Sequence, residues 1–248
     1  MLKRFSQIGL DRLVRLDWLE RTARLVQAGN NAQDVKSVLQ EELKEFFRAD
    51  RTDVRGSVDK SLTILLRVWL KPPGSLFPLR SEALELLSRL PVRYHLAIHW
   101  GMLAAVYPFW SSVAVQVGRL LKLQGSVAAL NVQRRIREQF GERETVARRV
   151  RYVIRSYVDW SVIQETGVAG IYQPGKIIEV DDRRLIQWLV EAALHTYPNG
   201  VAPFRDLLQG PSMFPFRIRS IPAELLADNA PRFEILRHGL DQDLLALK

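Results

Sequence analysis

From Tyr94 to Gly118 the chain carries no Asp, Glu, Lys or Arg for 25 residues. A run of this kind has to leave water, either inside a protein core or across a bilayer, and its length alone permits a crossing. Its contents argue for the core. His95, His99, Ser111, Ser112 and Gln116 interrupt the apolar surface, and Pro108 divides the run into two shorter segments. The expectation is a pair of buried central helices and no membrane association. At 47% hydrophobic and 25% charged over 248 residues, the rest of the chain has the balance of a globular protein and is too apolar for disorder. Cys is absent, which removes disulfides, thiolate metal ligands and cysteine nucleophiles and fits a reducing, cytoplasmic compartment. The opening Met1-Leu-Lys-Arg-Phe soon becomes an amphipathic charged segment, unlike a secretory signal.

The residues up to about 90 read as successive helices. Leu10, Leu13, Val14, Leu16, Trp18, Leu19, Ala23, Leu25 and Val26 recur near helical spacing up to Gly29-Asn30-Asn31. Asn31 is suited to cap a second helix whose apolar side is Val35, Val38, Leu39, Leu43 and Phe46-Phe47. The polar stretch Arg48 to Ser57 reads as a loop. A third helix is expected from about Val58 to Leu70, stopping at Pro72-Pro73, and Ser81 has the chemistry of a cap for a short fourth one.

The pattern sharpens between Trp110 and Val180. One helix is expected over Ser112 to Leu123, then a β-prone Ser126-Val127-Ala128. A second helix starts at Asn131 and ends at Gly141, and a third starts at Glu142. Val146, Val150, Val153, Ile154, Tyr157 and Val158 give that third helix one continuous buried face. Ser161-Val-Ile-Gln and Lys176-Ile-Ile-Glu-Val, joined by a glycine-bearing loop, read as a hairpin. Three helices and a β-hairpin are the parts of a winged helix-turn-helix. The expected class is therefore mainly α, in three parts: an N-terminal helical bundle over 1–108, a winged helix-turn-helix over 109–180, and a small mixed α+β extension over 181–248. In that extension Asp181-Asp182 should open a helix, followed by short helical turns at Phe204 to Leu208 and Ala223 to Leu226. Arg217-Ile-Arg-Ser and Arg232 to Arg237 should be strands.

Charge singles out the middle part. Between Trp110 and Trp160 lie ten basic residues, nine of them Arg, and four acidic ones, so this fifth of the chain holds six of its nine net positive charges. Arginine is the residue that forms planar two-pronged bonds to phosphate and to guanine. On the third helix Arg148, Arg151 and Arg155 fall at i, i+3 and i+7 and share one stripe, with Thr145 and Arg149 beside its N-terminal half. In helix-turn-helix docking that half enters the major groove, so Thr145, Arg148 and Arg149 are expected at base edges or nearby phosphates. Arg151 and Arg155 should lie nearer the backbone, and Arg134, Arg135 and Arg137 of the preceding helix should touch phosphates only. Tyr172, expected exposed on the wing loop, and Lys176 after it complete the expected nucleic-acid-binding set. The competing account of these arginines is a solvated face paired to Glu138, Glu142 and Glu144.

The stretch RETVARRVRYVIRSYVDWSVI, Arg143 to Ile163, resembles the recognition helix and first wing strand of winged-helix proteins encoded in bacterial anti-phage islands. A helical front joined to a winged-helix centre is similar to the BrxA-type family of BREX phage-exclusion systems. That resemblance covers about 70 residues and implies DNA binding without a catalytic motif, as a component or regulator of phage defence. The C-terminal extension has no counterpart in it. No P-loop, GxGxxG or GxSxG is present, and His95-Leu-Ala-Ile-His99 lacks the Glu that would follow the first His in a zinc protease helix. Asp181-Asp182 with Glu179 is better explained by helix capping than by a metal nuclease. The reading is thus a non-enzymatic binder of double-stranded DNA, with no cofactor, metal or small-molecule substrate, and with other protein subunits as further partners. The alternative is an adaptor that docks partners through the winged-helix frame and the aromatic tail, Phe204, Met213, Phe214, Phe216 and Phe233.

Overall fold

A computed structural model describes residues 3–49, 54–228, 230–237 and 243–248. The molecule is mainly helical, and its centre is the uncharged run. Tyr107-Pro108 breaks that run into α6 (His95–Val106) and α7 (Pro108–Gln124), with the proline in the first turn of α7, where its missing N–H costs nothing. Every residue of α6 is buried. Around it pack α2 (Leu16–Gln27), α4 (Val54–Trp69), α5 (Phe77–Arg89), α7 and α10 (Arg183–Leu194). The approach of α10 is so close that a Cβ on Gly101 would stand 2.6 Å from the Trp188 ring, so only glycine fits there. Among the described residues no helix is long and apolar enough to cross a membrane.

Ahead of α2 lies the short α1 (Lys3–Ser6) and a turn at Gly9-Leu10 with positive φ at both residues. Leu10 holds the left-handed conformation with its side chain 2% exposed in the core. Asn31 accepts from the amides of Gln33 and Asp34 at 2.9 and 3.0 Å, the expected cap of α3 (Ala32–Ala49). The loop expected over 48–57 is shorter than the sequence suggests. Helix α3 continues to Ala49 and α4 begins at Val54, and residues 50–53 lie outside the described residues. Ser81 is inside α5 rather than at its start, because Pro78 already opens that helix.

After α7 come β1 (Val127–Ala128), α8 (Ala129–Phe140), α9 (Glu144–Asp159), β2 (Ile163–Glu165) and β3 (Ile171–Pro174). Gly125, at φ 70°, closes α7 as a left-handed residue can. Helix α7 starts four residues before the expected Ser112, α8 starts before Asn131, and α9 starts at Glu144, not Glu142. The three strands form one antiparallel sheet in the order β1-β3-β2, with Tyr172 opposite both Val127 and Glu165.

The expected hairpin partner, Lys176 to Val180, does not pair with β2. Ile171–Pro174 takes that place. The later residues form β4 (Ile178–Val180), which runs parallel to β6 (Phe216–Ile218). One face of that pair is buried, with Ile178 and Val180 4% and 0% exposed, while Glu179 on the other face meets the exposed Arg217 at 2.8 Å. The remaining elements are β5 (Val201–Pro203), α11 (Phe204–Gln209), α12 (Ala223–Ala227), β7 (Phe233–Arg237) and β8 (Asp243–Leu247). Strands β5, β8 and β7 make a second antiparallel sheet in that order. Asp182 caps α10 as expected, accepting from the Leu185 amide at 2.8 Å.

One hydrophobic core runs from Leu10 to Leu245. At its middle Trp100, Trp110, Tyr157 and Trp160 interlock, with Trp100 and Tyr157 stacked at 5.1 Å. Phe214 and Phe216 close on Trp100 from the C-terminal part. The tail aromatics are therefore core: Met213, Phe216 and Phe233 are buried, and Phe204 and Phe214 pack against the core half-buried.

Candidate nucleic-acid interface

Helix α9 is fixed on three sides. Its inner face, Val146, Ala147, Val150, Val153, Ile154, Ser156 and Tyr157, is buried, and the Tyr157 hydroxyl donates to the Trp110 carbonyl at 2.8 Å. Burial pushes that phenol well above its ordinary titration range, so it stays neutral. Along one flank runs the segment ahead of α2. The Val14 amide donates to the Ser156 hydroxyl at 2.9 Å, the Leu16 amide donates to Asp159 at 3.2 Å, and the Trp160 indole donates to the Val14 carbonyl at 2.9 Å. Trp160, which follows the helix directly, is 2% exposed and packs on Trp100 and Trp110. Against the other side lie α8 and the β1-β3-β2 sheet.

The outer face carries Thr145, Arg148, Arg151 and Arg155, all exposed, as the spacing predicts. Among the described residues neither Arg148 nor Arg155 has a carboxylate within ion-pair distance, whereas Arg151 is held by Glu144 at 2.8 Å. On α8, Arg134 is exposed and Arg135 half-buried, both without an ion pair among the described residues, and Arg137 is held by Glu142 at 2.6 Å. The solvated-pair account thus covers two of these arginines and leaves the others uncommitted.

Three expected residues sit differently. Arg149 is half-buried and turned to the flank, into a cavity it shares with the N-terminal part, because position 149 lies next to the buried arc of the helix. Tyr172 is not on an exposed loop. It is half-buried on β3, in a recess of about 380 Å³ with Leu130, Ile154, Arg151 and Arg155. Burial and Glu165 raise its phenol, with Arg155 opposing. Lys176 lies beyond the β2-β3 hairpin, on the link to β4, where its amide donates to the Ser161 carbonyl at 2.7 Å. The hairpin tip, Thr166 to Gly170, carries no cation, and Val168 there is 64% exposed.

The sequence pattern gave no signal for the flank. Arg12 lies 5.9 Å from the centroid of the Tyr152 ring on α9, and Lys60, Arg67 and Arg143 line the cavity that Arg149 enters. These positions are scattered along the chain, so only the tertiary fold brings them together.

The other concentration of titratable groups lies at the centre of the bundle. Glu20 reaches His95 Nδ1 at 3.1 Å and His99 Nε2 at 2.8 Å, and His95 Nε2 faces the Leu90 carbonyl at 3.2 Å. The His95 hydrogen bond, with that of His99, holds Glu20 well below the usual carboxylate range. Glu20 raises His95, while burial lowers His99. Both His95 nitrogens face acceptors, which suits the imidazolium form. The two histidines on one face of α6 thus serve to bind α2. Among the described residues no group of three or more His, Asp or Glu is placed to hold a metal ion.

Comparison of the chain with protein-family models, with curated proteins and with solved structures finds no match.

Proposed function

We propose that residues 108–174 form a winged helix-turn-helix that binds double-stranded DNA without catalysing a reaction, with α9 as the helix that enters the major groove. The observation that carries this reading is the uncommitted Arg148 and Arg155 on the outer face of the last of three helices, beside a hairpin in a sheet ordered β1-β3-β2. Helix, strand, two helices and a hairpin, in that chain order, is the arrangement that presents a recognition helix to a groove. A net excess of arginine on the presented face supplies the charge that phosphate requires. The adaptor reading loses its anchors, since the tail aromatics that would have docked a partner pack into the core. A setting in phage defence rests on the resemblance of Arg143 to Ile163 alone.

A gel shift with a random duplex, run at low and at high salt, tests the reading. Binding at low salt that fades at high salt is expected, with most of it lost in the R148A/R155A double variant at unchanged circular dichroism. No binding of any duplex at low salt overturns it.

A further inference from the structure

The cavity beside the N-terminal half of α9 has a volume of about 530 Å³. Its walls are the Gly9-Leu10 turn, α4, and the start of α9. Lys60 and Arg67 enter from α4, and Arg143 and Arg149 from the start of α9. Among the described residues the sole acidic lining residue is Asp11, in a long ion pair with Lys60 at 3.9 Å. The arrangement is held in place. The Arg67 guanidinium lies 5.4 Å from the centroid of the Tyr107 ring, and Tyr107 packs so tightly on Gly9 that a Cβ there would stand 2.6 Å from the ring. Four basic residues against one carboxylate give this lining a net positive charge, which favours an anion there.

We infer that Lys60, Arg67, Arg143 and Arg149 form a ledge for the phosphate backbone of a duplex, carrying the DNA contact from α9 onto the N-terminal bundle. This inference rests on the reading of α9 as the DNA-facing helix. In helix-turn-helix docking the recognition helix enters the groove by its N-terminal residues, and the phosphates bordering the groove pass next to that end. The cavity lies at that end, on the side where Arg12 also stands. Backbone contacts there would add affinity without adding sequence preference, and would lengthen the stretch of duplex that is held.

The test uses fluorescence anisotropy with the full chain and two random duplexes, one of about 10 base pairs, one helical turn, and one of about 30. The variants are Lys60→Gln and K60Q/R67Q. Lys60 is exposed, so its replacement leaves the core intact, and thermal melting checks the double variant. The wild type should bind the long duplex more tightly than the short one. The double variant should lose roughly two from the salt slope on the long duplex and little on the short one. If the variants match the wild type on both duplexes, the ledge is refuted while the reading of α9 stands. If the wild type binds neither duplex, the reading of α9 falls, and the ledge with it.

Discussion

The indole of Trp160 donates to the carbonyl of Val14 over 2.9 Å, tying the end of α9 to a segment 146 residues earlier in the chain. Both residues are 2% exposed, so water cannot replace the bond. Trp160→Phe keeps most of the aromatic packing but leaves that carbonyl buried without this donor. A buried acceptor left unpaired costs about 1–3 kcal/mol, and chemical denaturation of the variant should show a loss in that range. A variant as stable as the wild type would mean that the tie contributes nothing.

Salt dependence follows from the uncommitted arginines. If Arg134, Arg135, Arg149 and Arg155 neutralise about four phosphates of a short duplex, log affinity should fall against log salt with a slope of roughly −3 to −4. Arg137 and Arg151, already held by Glu142 and Glu144, are left out of that number. A flat titration would separate the positive face from any role with a polyanion.

Positions along α9 should differ in kind. On the proposed docking of α9, Arg148 in the N-terminal half of the exposed stripe faces base edges, so Arg148→Ala should narrow the gap between a preferred and a random duplex by about 1–3 kcal/mol. Arg155→Ala should weaken both alike, as loss of a phosphate contact does. Arg149, turned to the flank, should now behave like Arg155 and not like Arg148. Equal losses for all three on every sequence would leave target choice to DNA shape.

Acid should destabilise the protein through His195. Burial first, then Arg4 and Arg232, lower this imidazole from 6.5 to about 4. Glu191 gives it little help: its carboxylate is 3.9 Å away and is occupied by Arg232 at 2.6 and 2.8 Å. A histidine depressed in the folded state binds its proton more readily when unfolded. Its contribution is therefore complete above about 6.5 and disappears as pH falls toward about 4. The expected loss is on the order of 2–3 kcal/mol, read by urea denaturation across that window. His195→Gln should flatten the pH profile. His99, also lowered by burial, acts in the same direction and remains in the variant, and His95, raised by Glu20, titrates above 6.5.

The sequence made the helices legible wherever periodicity was long. The apolar series of α9 and the uncharged run both fall on buried faces, and Asn31 and Asp182 cap as their chemistry suggests. Short strands were harder. Lys176 to Val180 alternates as a hairpin strand would, but two runs of similar hydropathy compete for β2, and pairing with the distant Phe216–Ile218 decides the outcome. Of the candidate site, the i, i+3, i+7 stripe could be read from spacing. The flank formed by Arg12, Lys60 and Arg67 could not, since nothing local marks residues so far apart in the chain as neighbours. The tail aromatics were misjudged for a related reason: a proline-rich segment without regular periodicity still folds against the Trp100 cluster.

The core that joins α9 to the bundle has a further consequence. No linker separates the arginine stripe from the mass behind it, since Leu10, Trp100, Tyr157 and Phe216 belong to one packed interior. A copy bound through α9 would therefore bring its whole breadth onto the duplex. The length of DNA closed to a neighbouring copy would be set by the girth of the molecule, and only secondarily by the few base pairs under the helix.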